Sequence, residues 1–202
     1  MKGEGETELL EAVGRVVAAF DALGVEYLVG GSIASSVFGE PRQTVDADLL
    51  ARLFGRHAKP LVERLSDEFY ADLPAVLAAV ENQSCFNLIH LHTATKVDVF
   101  VRWRDAFGQS QLARRQRKSV GQASPLELYF ASPEDTVLAK LEWYRKGDCV
   151  SDQQWRDLLG VLKVQAGALD RAYLADWAQK LGVADLLKRA LGQAGSPGGE
   201  NP

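Results

Sequence analysis

Two aspartates, Asp46 and Asp48, stand one residue apart in an otherwise apolar run, Val45-Asp46-Ala47-Asp48-Leu49-Leu50. The run alternates as a strand does. Strand side chains alternate between faces, so both carboxylates point the same way. Paired carboxylates repel and are costly to desolvate unless cations sit between them. Carboxylate and phosphate oxygens together are what magnesium takes as ligands. An exposed acidic edge would read the same way, because Asp-x-Asp also arises by chance.

Two further features bear on that pair. Asp98 lies inside Lys96-Val97-Asp98-Val99-Phe100, where a charge amid β-branched residues needs a reason. A strand beside Asp46 and Asp48 would let it complete a three-carboxylate cluster able to hold two metal ions. A single polar-face residue in a half-exposed strand is the plainer alternative. Earlier in the chain, Tyr27-Leu28-Val29 runs into Gly30-Gly31-Ser32 and a short helix to Phe38. Glycines there allow close backbone approach, and a helix N-terminus offers free N–H groups to phosphate oxygens. Taken alone, an ordinary strand-to-helix turn explains this segment equally well. Arg42, between that turn and Asp46, could reach a phosphate or simply pair with an acid.

Periodicity fills in the rest. Leu9, Leu10, Val13, Val16, Val17, Phe20 and Leu23 predict a helix over 7–23. Helical signals recur over 59–82, with Pro60 and Pro74 suited to first turns. Strand-like runs at 86–91 and 96–101 flank four turn-compatible residues, which predicts a hairpin. A polar helix is expected over 105–118 and a short strand over 126–130. From Pro133 the character is helical, opened by Ser132-Pro133-Glu134-Asp135. The expected division is an α/β domain over 1–132, a helical segment over 133–193 and a disordered tail over 194–202.

The 202 residues are 47% hydrophobic, enough for a core without disulfide staples. A net charge of -4 gives no global reason for nucleic-acid binding. Cys85 and Cys149 form no metal-ligand spacing, and two thiols suit a reducing compartment. No apolar stretch approaches the roughly 20 residues that span a bilayer. No apolar run of a signal peptide opens the chain. A cytoplasmic protein without membrane contact is expected.

The order strand, Gly-Ser, helix, Asp-x-Asp strand and later Asp resembles the signature of the polymerase-β-like nucleotidyltransferases. Thirteen residues separate Ser32 from Asp46. YLVGGSIASSVFGEPRQTVDADLL, FNLIHLHTATKVDVFV and SPEDTVLAKLEWYRKGD resemble more narrowly the bacterial group of AbiEii-type toxins and minimal nucleotidyltransferases. The resemblance covers about residues 25–165. It implies a mixed sheet with flanking helices and then a helical C-terminal segment. It implies two Mg²⁺ ions on Asp46, Asp48 and Asp98, and a nucleoside triphosphate donor. Gly30, Gly31 and Ser32 would contact the triphosphate, and Lys140 would neutralise it. Arg156-Asp157 resembles a further element of the toxin group. The implied activity is transfer of a nucleotidyl group to a hydroxyl of RNA, protein or a small molecule. A toxin–antitoxin setting with a cognate partner follows from the narrower likeness. The rivals are an inactive nucleotide-binding or antitoxin-like module and an antibiotic-modifying adenylyltransferase.

Other residues attract weaker readings. His90 and His92 share a strand face without a third ligand, so a hydrogen-bonded role is favoured over metal. His57 is expected in solvent. Trp143, Tyr144, Trp155 and Trp177 read as helical core rather than a base-stacking platform. Arg114-Arg115-Gln116-Arg117-Lys118 reads as a solvated helix face, and it is the best candidate for RNA contact.

Overall fold

The computed structural model describes residues 4–121 and 125–195. In chain order it comprises α1 (Glu4–Ala22), β1 (Tyr27–Val29), α2 (Gly31–Phe38), β2 (Asp46–Ala51), α3 (Gly55–Leu65), β3 (Phe69–Tyr70), α4 (Leu73–Asn82) and β4 (Cys85–His90). There follow β5 (Lys96–Phe100), α5 (Ala106–Arg114), β6 (Gln116–Val120), β7 (Leu126–Phe130), α6 (Pro133–Lys146), α7 (Asp152–Val164), α8 (Arg171–Lys180) and α9 (Ala184–Gly195). The chain divides into two compact units, one of Met1–Gly30 with Gln43–Ala131, the other of Gly31–Arg42 with Ser132–Pro202. Of the tail expected to be disordered, residues 196–202 lie outside the described residues, and Gly195 closes α9.

The first unit is built on one mixed sheet in the order β3-β4-β5-β2-β1-β7-β6. β2 and β5 are parallel, as are β1 and β7, and the other pairs are antiparallel. α1 buries Leu9, Val13, Val16, Val17 and Phe20, a stripe at helical spacing. It stops at Gly24, whose φ of 65° is left-handed. There Val25 N–H reaches back to the Phe20 carbonyl at 2.9 Å, satisfying a helix-end acceptor. The predicted hairpin forms between β4 and β5, and its turn is tied by His90 Nδ1 to Thr93 Oγ1 at 2.8 Å. β3, two residues long, is too short to leave a periodic signal.

Two expectations change here. The helix over 105–118 ends at Arg114, and β6 follows, antiparallel to β7 at the sheet edge. β6 is polar on both sides, as edge strands often are, so its period of two is hidden. Pro60 lies inside α3 rather than in a first turn. An interior proline costs about 3 kcal/mol. Burial of Ala58, Leu61 and Leu65 offsets it, at about 1.5–3 kcal/mol for each leucine.

The start of α3 is fixed by His57, which is buried rather than solvated. Its Nδ1 accepts the Phe54 backbone N–H at 3.2 Å. In the second unit, Ser132 caps α6 by accepting from Asp135 N–H at 3.1 Å. Leu138, Leu141, Leu158, Leu162 and Leu174 form the core of that unit. Tyr144 and Trp155 join it with ring centroids 5.0 Å apart, while Trp143 is exposed. α2 meets α7 backbone to backbone. A Cβ on Gly39 would come within 2.7 Å of Val161 N, so no side chain fits. Among the described residues no helix is long and apolar enough to cross a membrane.

Burial, and then the neighbouring Arg56, hold the His57 pKa below its ordinary value. The unfolded chain then takes up the proton more readily, so this group's contribution is complete above about pH 6.5 and fades as pH falls below it. His57→Ala should lower stability by about 1 kcal/mol at pH 8, the usual scale of a lost cap. The gap to wild type should narrow as pH falls to about 5. Denaturant titrations across that range check it, and a gap constant with pH would refute the capping role.

Candidate active site

The aspartates sit where the sheet register brings them. β2 and β5 pair with Asp46 opposite Lys96, Ala47 opposite Val97 and Asp48 opposite Asp98. Partners across a ladder share a face. Asp46, Asp48, Lys96 and Asp98 therefore lie together on one face, and Ala47, Leu49, Val97 and Val99 are fully buried on the other. On β4, Asn87 stands opposite Asp98 and Ile89 opposite Lys96, both exposed on the carboxylate side. The end of β1 is held to the same place, because Gly30 N–H donates to the Asp48 carbonyl at 2.8 Å.

Asp98 is engaged on both oxygens. The Asn87 side-chain amide donates to Oδ1, and Lys96 Nζ lies 2.9 Å from Oδ2. The hydrogen bond to Asp98 raises the Lys96 pKa against the effect of burial, and the fields of Asp98, Asp46 and Asp48 raise it further. Cys85, on the same face of β4, has its thiol pushed up to about 11 by burial and by Asp98 and Asp48. Among the described residues no group of three or more His, Cys, Asp or Glu side chains is gathered as a metal site. The donor chemistry still suits a hard divalent cation, since three carboxylates share one face and outnumber the single ammonium paired with Asp98.

In the second unit, Gly31 opens α2 with a φ of 53°, a left-handed conformation that favours glycine. Ser32 is the next residue of that first turn, and its carbonyl accepts from Ser35 Oγ at 3.0 Å. Arg42, weighed between a phosphate and an acid, and Lys140, expected at the triphosphate, converge on Asp157 of α7. Arg42 Nε and Nη2 reach its two oxygens at 2.9 and 3.0 Å. Lys140 Nζ lies 2.8 Å from Oδ2, and Gln153 Nε2 donates to Oδ1 at 2.7 Å. The Asp157 and Lys140 side chains are only 6% and 9% exposed. Burial alone would raise the Asp157 pKa, but Arg42, Lys140 and Gln153 hold it below the ordinary value. The sequence singled out Arg156-Asp157 without a role. The Gln153-to-Asp157 spacing on one helix face was the available signal.

The basic run is split. Arg115 Nη2 pairs with Glu26 at 3.2 Å and its guanidinium lies over Tyr129. Arg117 pairs with Glu127 across the β6–β7 ladder at 3.2 Å. The run is therefore not one helix face.

No protein-family model and no curated protein matches the chain. Solved structures do. One is an antigenic nucleotidyltransferase-like protein from Paracoccidioides brasiliensis, with 17% identity, a TM-score of 0.53, and 92% of this chain and 93% of that one covered. Another is ANT(2'')-Ia in complex with adenylyl-2''-tobramycin, at 13% identity and a TM-score of 0.54, covering 87% of this chain and 97% of that one. The solution structure of the same antibiotic-resistance factor gives 14% identity and a TM-score of 0.51, covering 93% and 95%. The chain has a nucleotidyltransferase fold. In this nucleotidyltransferase fold the three aspartates occupy two adjacent parallel strands, and the glycine-serine turn follows the strand antiparallel to the first of them.

Two substitutions should behave oppositely. Asp48→Asn removes one of three like charges from an open face and should leave the stability of the metal-free protein within about 1 kcal/mol of wild type, or raise it. Asp157→Asn strips the buried Lys140 of its counter-charge and should cost about 3–5 kcal/mol. Urea unfolding without divalent ions decides, and comparable losses in both would mean that the carboxylate face is structural.

Proposed function

We propose that the protein is a metal-dependent nucleotidyltransferase that moves a nucleotidyl group from a nucleoside triphosphate to an acceptor hydroxyl. The observation that carries this is the register of Asp48 against Asp98, with Asp46 on the same open face of a nucleotidyltransferase fold. Asp46 and Asp48 would hold the divalent ion, with Asp98 as the third carboxylate of the face. Bound there, the ion supplies charge neutralisation at the reacting phosphate. The chain's own residues do the rest. Gly30, Gly31 and Ser32 offer backbone N–H and hydroxyl donors to phosphate oxygens. Arg42 and Lys140 would stabilise negative charge on the leaving pyrophosphate. Asp98 would accept the proton of the attacking hydroxyl as its oxygen bonds to the α-phosphorus. The bond from that phosphorus to the bridging oxygen breaks, and pyrophosphate leaves with its electron pair.

For the acceptor, a small hydroxylated molecule is the better supported class. ANT(2'')-Ia is seen with adenylyl-2''-tobramycin, an adenylylated small molecule. The split of the basic run removes the best sequence argument for RNA. The AbiEii-like wording keeps a toxin–antitoxin role as the second reading, resting on that resemblance alone. The inactive-module reading is disfavoured by the presence of all three carboxylates on one face.

The decisive experiment incubates the protein with each labelled triphosphate and Mg²⁺, against host extract and against a panel of aminoglycosides and other polyols. Label should pass to a small acceptor. Asp98→Asn should cut transfer at least about 100-fold, the scale of a lost general base. Triphosphate affinity should change by no more than about threefold, because that interaction belongs chiefly to the transition state. A wild type that binds Mg²⁺–triphosphate but labels nothing would establish the binding-module reading instead.

A further inference from the structure

Lys96 belongs to the carboxylate face. It shares that face of β5 with Asp98, and the register sets it directly opposite Asp46 of β2. Its Nζ is 2.9 Å from Asp98 Oδ2, with the Asn87 amide on Oδ1. The Asp98 side chain is only 16% exposed, whereas that of Lys96 is 41% exposed. Asp98 therefore already has a cation, supplied by its own strand and only two residues away. A second divalent ion at Asp98 would have to stand beside the ammonium, and like charges within about 4–6 Å disfavour each other.

We propose that Lys96 is the resident cation at Asp98 and takes the place of one of the two ions implied for this face, so that the protein binds one divalent ion, at Asp46 and Asp48, with its nucleoside triphosphate. The inference rests on the nucleotidyltransferase reading. Lys96 acts as a positioning residue. It fixes the Asp98 carboxylate, together with Asn87, so that Asp98 is held without a metal ligand.

The test counts ions instead of turnover. The full chain is dialysed to equilibrium against Mn²⁺ with each of the four non-hydrolysable α,β-methylene nucleoside triphosphates, and bound Mn²⁺ is read by electron paramagnetic resonance per bound nucleotide. Wild type should retain one ion and Lys96→Met two. Lys96→Arg, which keeps a cation on a stem of similar length, should retain one. Lys96 is well exposed, so both variants should fold, and circular dichroism checks this. Two ions in wild type, or one in Lys96→Met, would overturn the proposal and leave the nucleotidyltransferase reading intact. No retained ion with any nucleotide, in wild type and variants alike, would overturn that reading and this proposal with it.

Discussion

Everything at the carboxylate face depends on the core behind it. Ala47, Leu49, Val97 and Val99 are fully buried, and they alternate with Asp46, Asp48, Lys96 and Asp98. A one-residue slip of β2 or β5 would turn charges into the core and apolar side chains out. Burying unpaired carboxylates costs several kcal/mol each, so the slipped arrangement is strongly disfavoured. The pressure that keeps water from Leu49 and Val99 is thus what sets Asp48 against Asp98. Stability of the sheet and placement of the acids have one cause.

That cause explains what could be read from sequence. Strands with one fully apolar face advertise their period, and so β2, β4 and β5 are visible within a residue or so of their ends. A cap residue announces α6 for a similar reason, since Ser132 bonds locally to Asp135. Pairing is different. Between β2 and β5 lie α3, β3, α4 and β4, and nothing local shows that β5 returns parallel to β2. The sequence offered adjacency only as a condition. β6 escaped because an edge strand such as Gln116–Val120 needs no apolar face. His57 escaped because a buried histidine capping its own helix looks, in sequence, like any polar residue near arginine and lysine.

The Asp157 cluster was the least legible part. Its members come from the loop after α2, from α6 and from α7, and they are 115 and 17 residues apart in chain order. Each had a plausible separate fate: Arg42 with a nearby acid, Lys140 at a phosphate, Asp157 in an unmatched motif. Only tertiary packing joins them. Arg42, weighed between a phosphate and an acid, takes an acid, though one far along the chain.

The charge of that cluster limits what it adds to stability. A buried ion pair is a poor device for stability alone, because well-packed apolar residues of similar volume often do as well or better. Here one nearly buried carboxylate is met by Arg42, Lys140 and the Gln153 amide, all within the second unit. Asp157 holds Lys140 and Arg42 at fixed positions. Side chains held that way have already lost much of their rotamer freedom, which lowers the entropic cost of any further contact they make. Any part taken by Arg42 or Lys140 at a phosphate, as proposed above, therefore requires an exchange of Asp157 for the new anion.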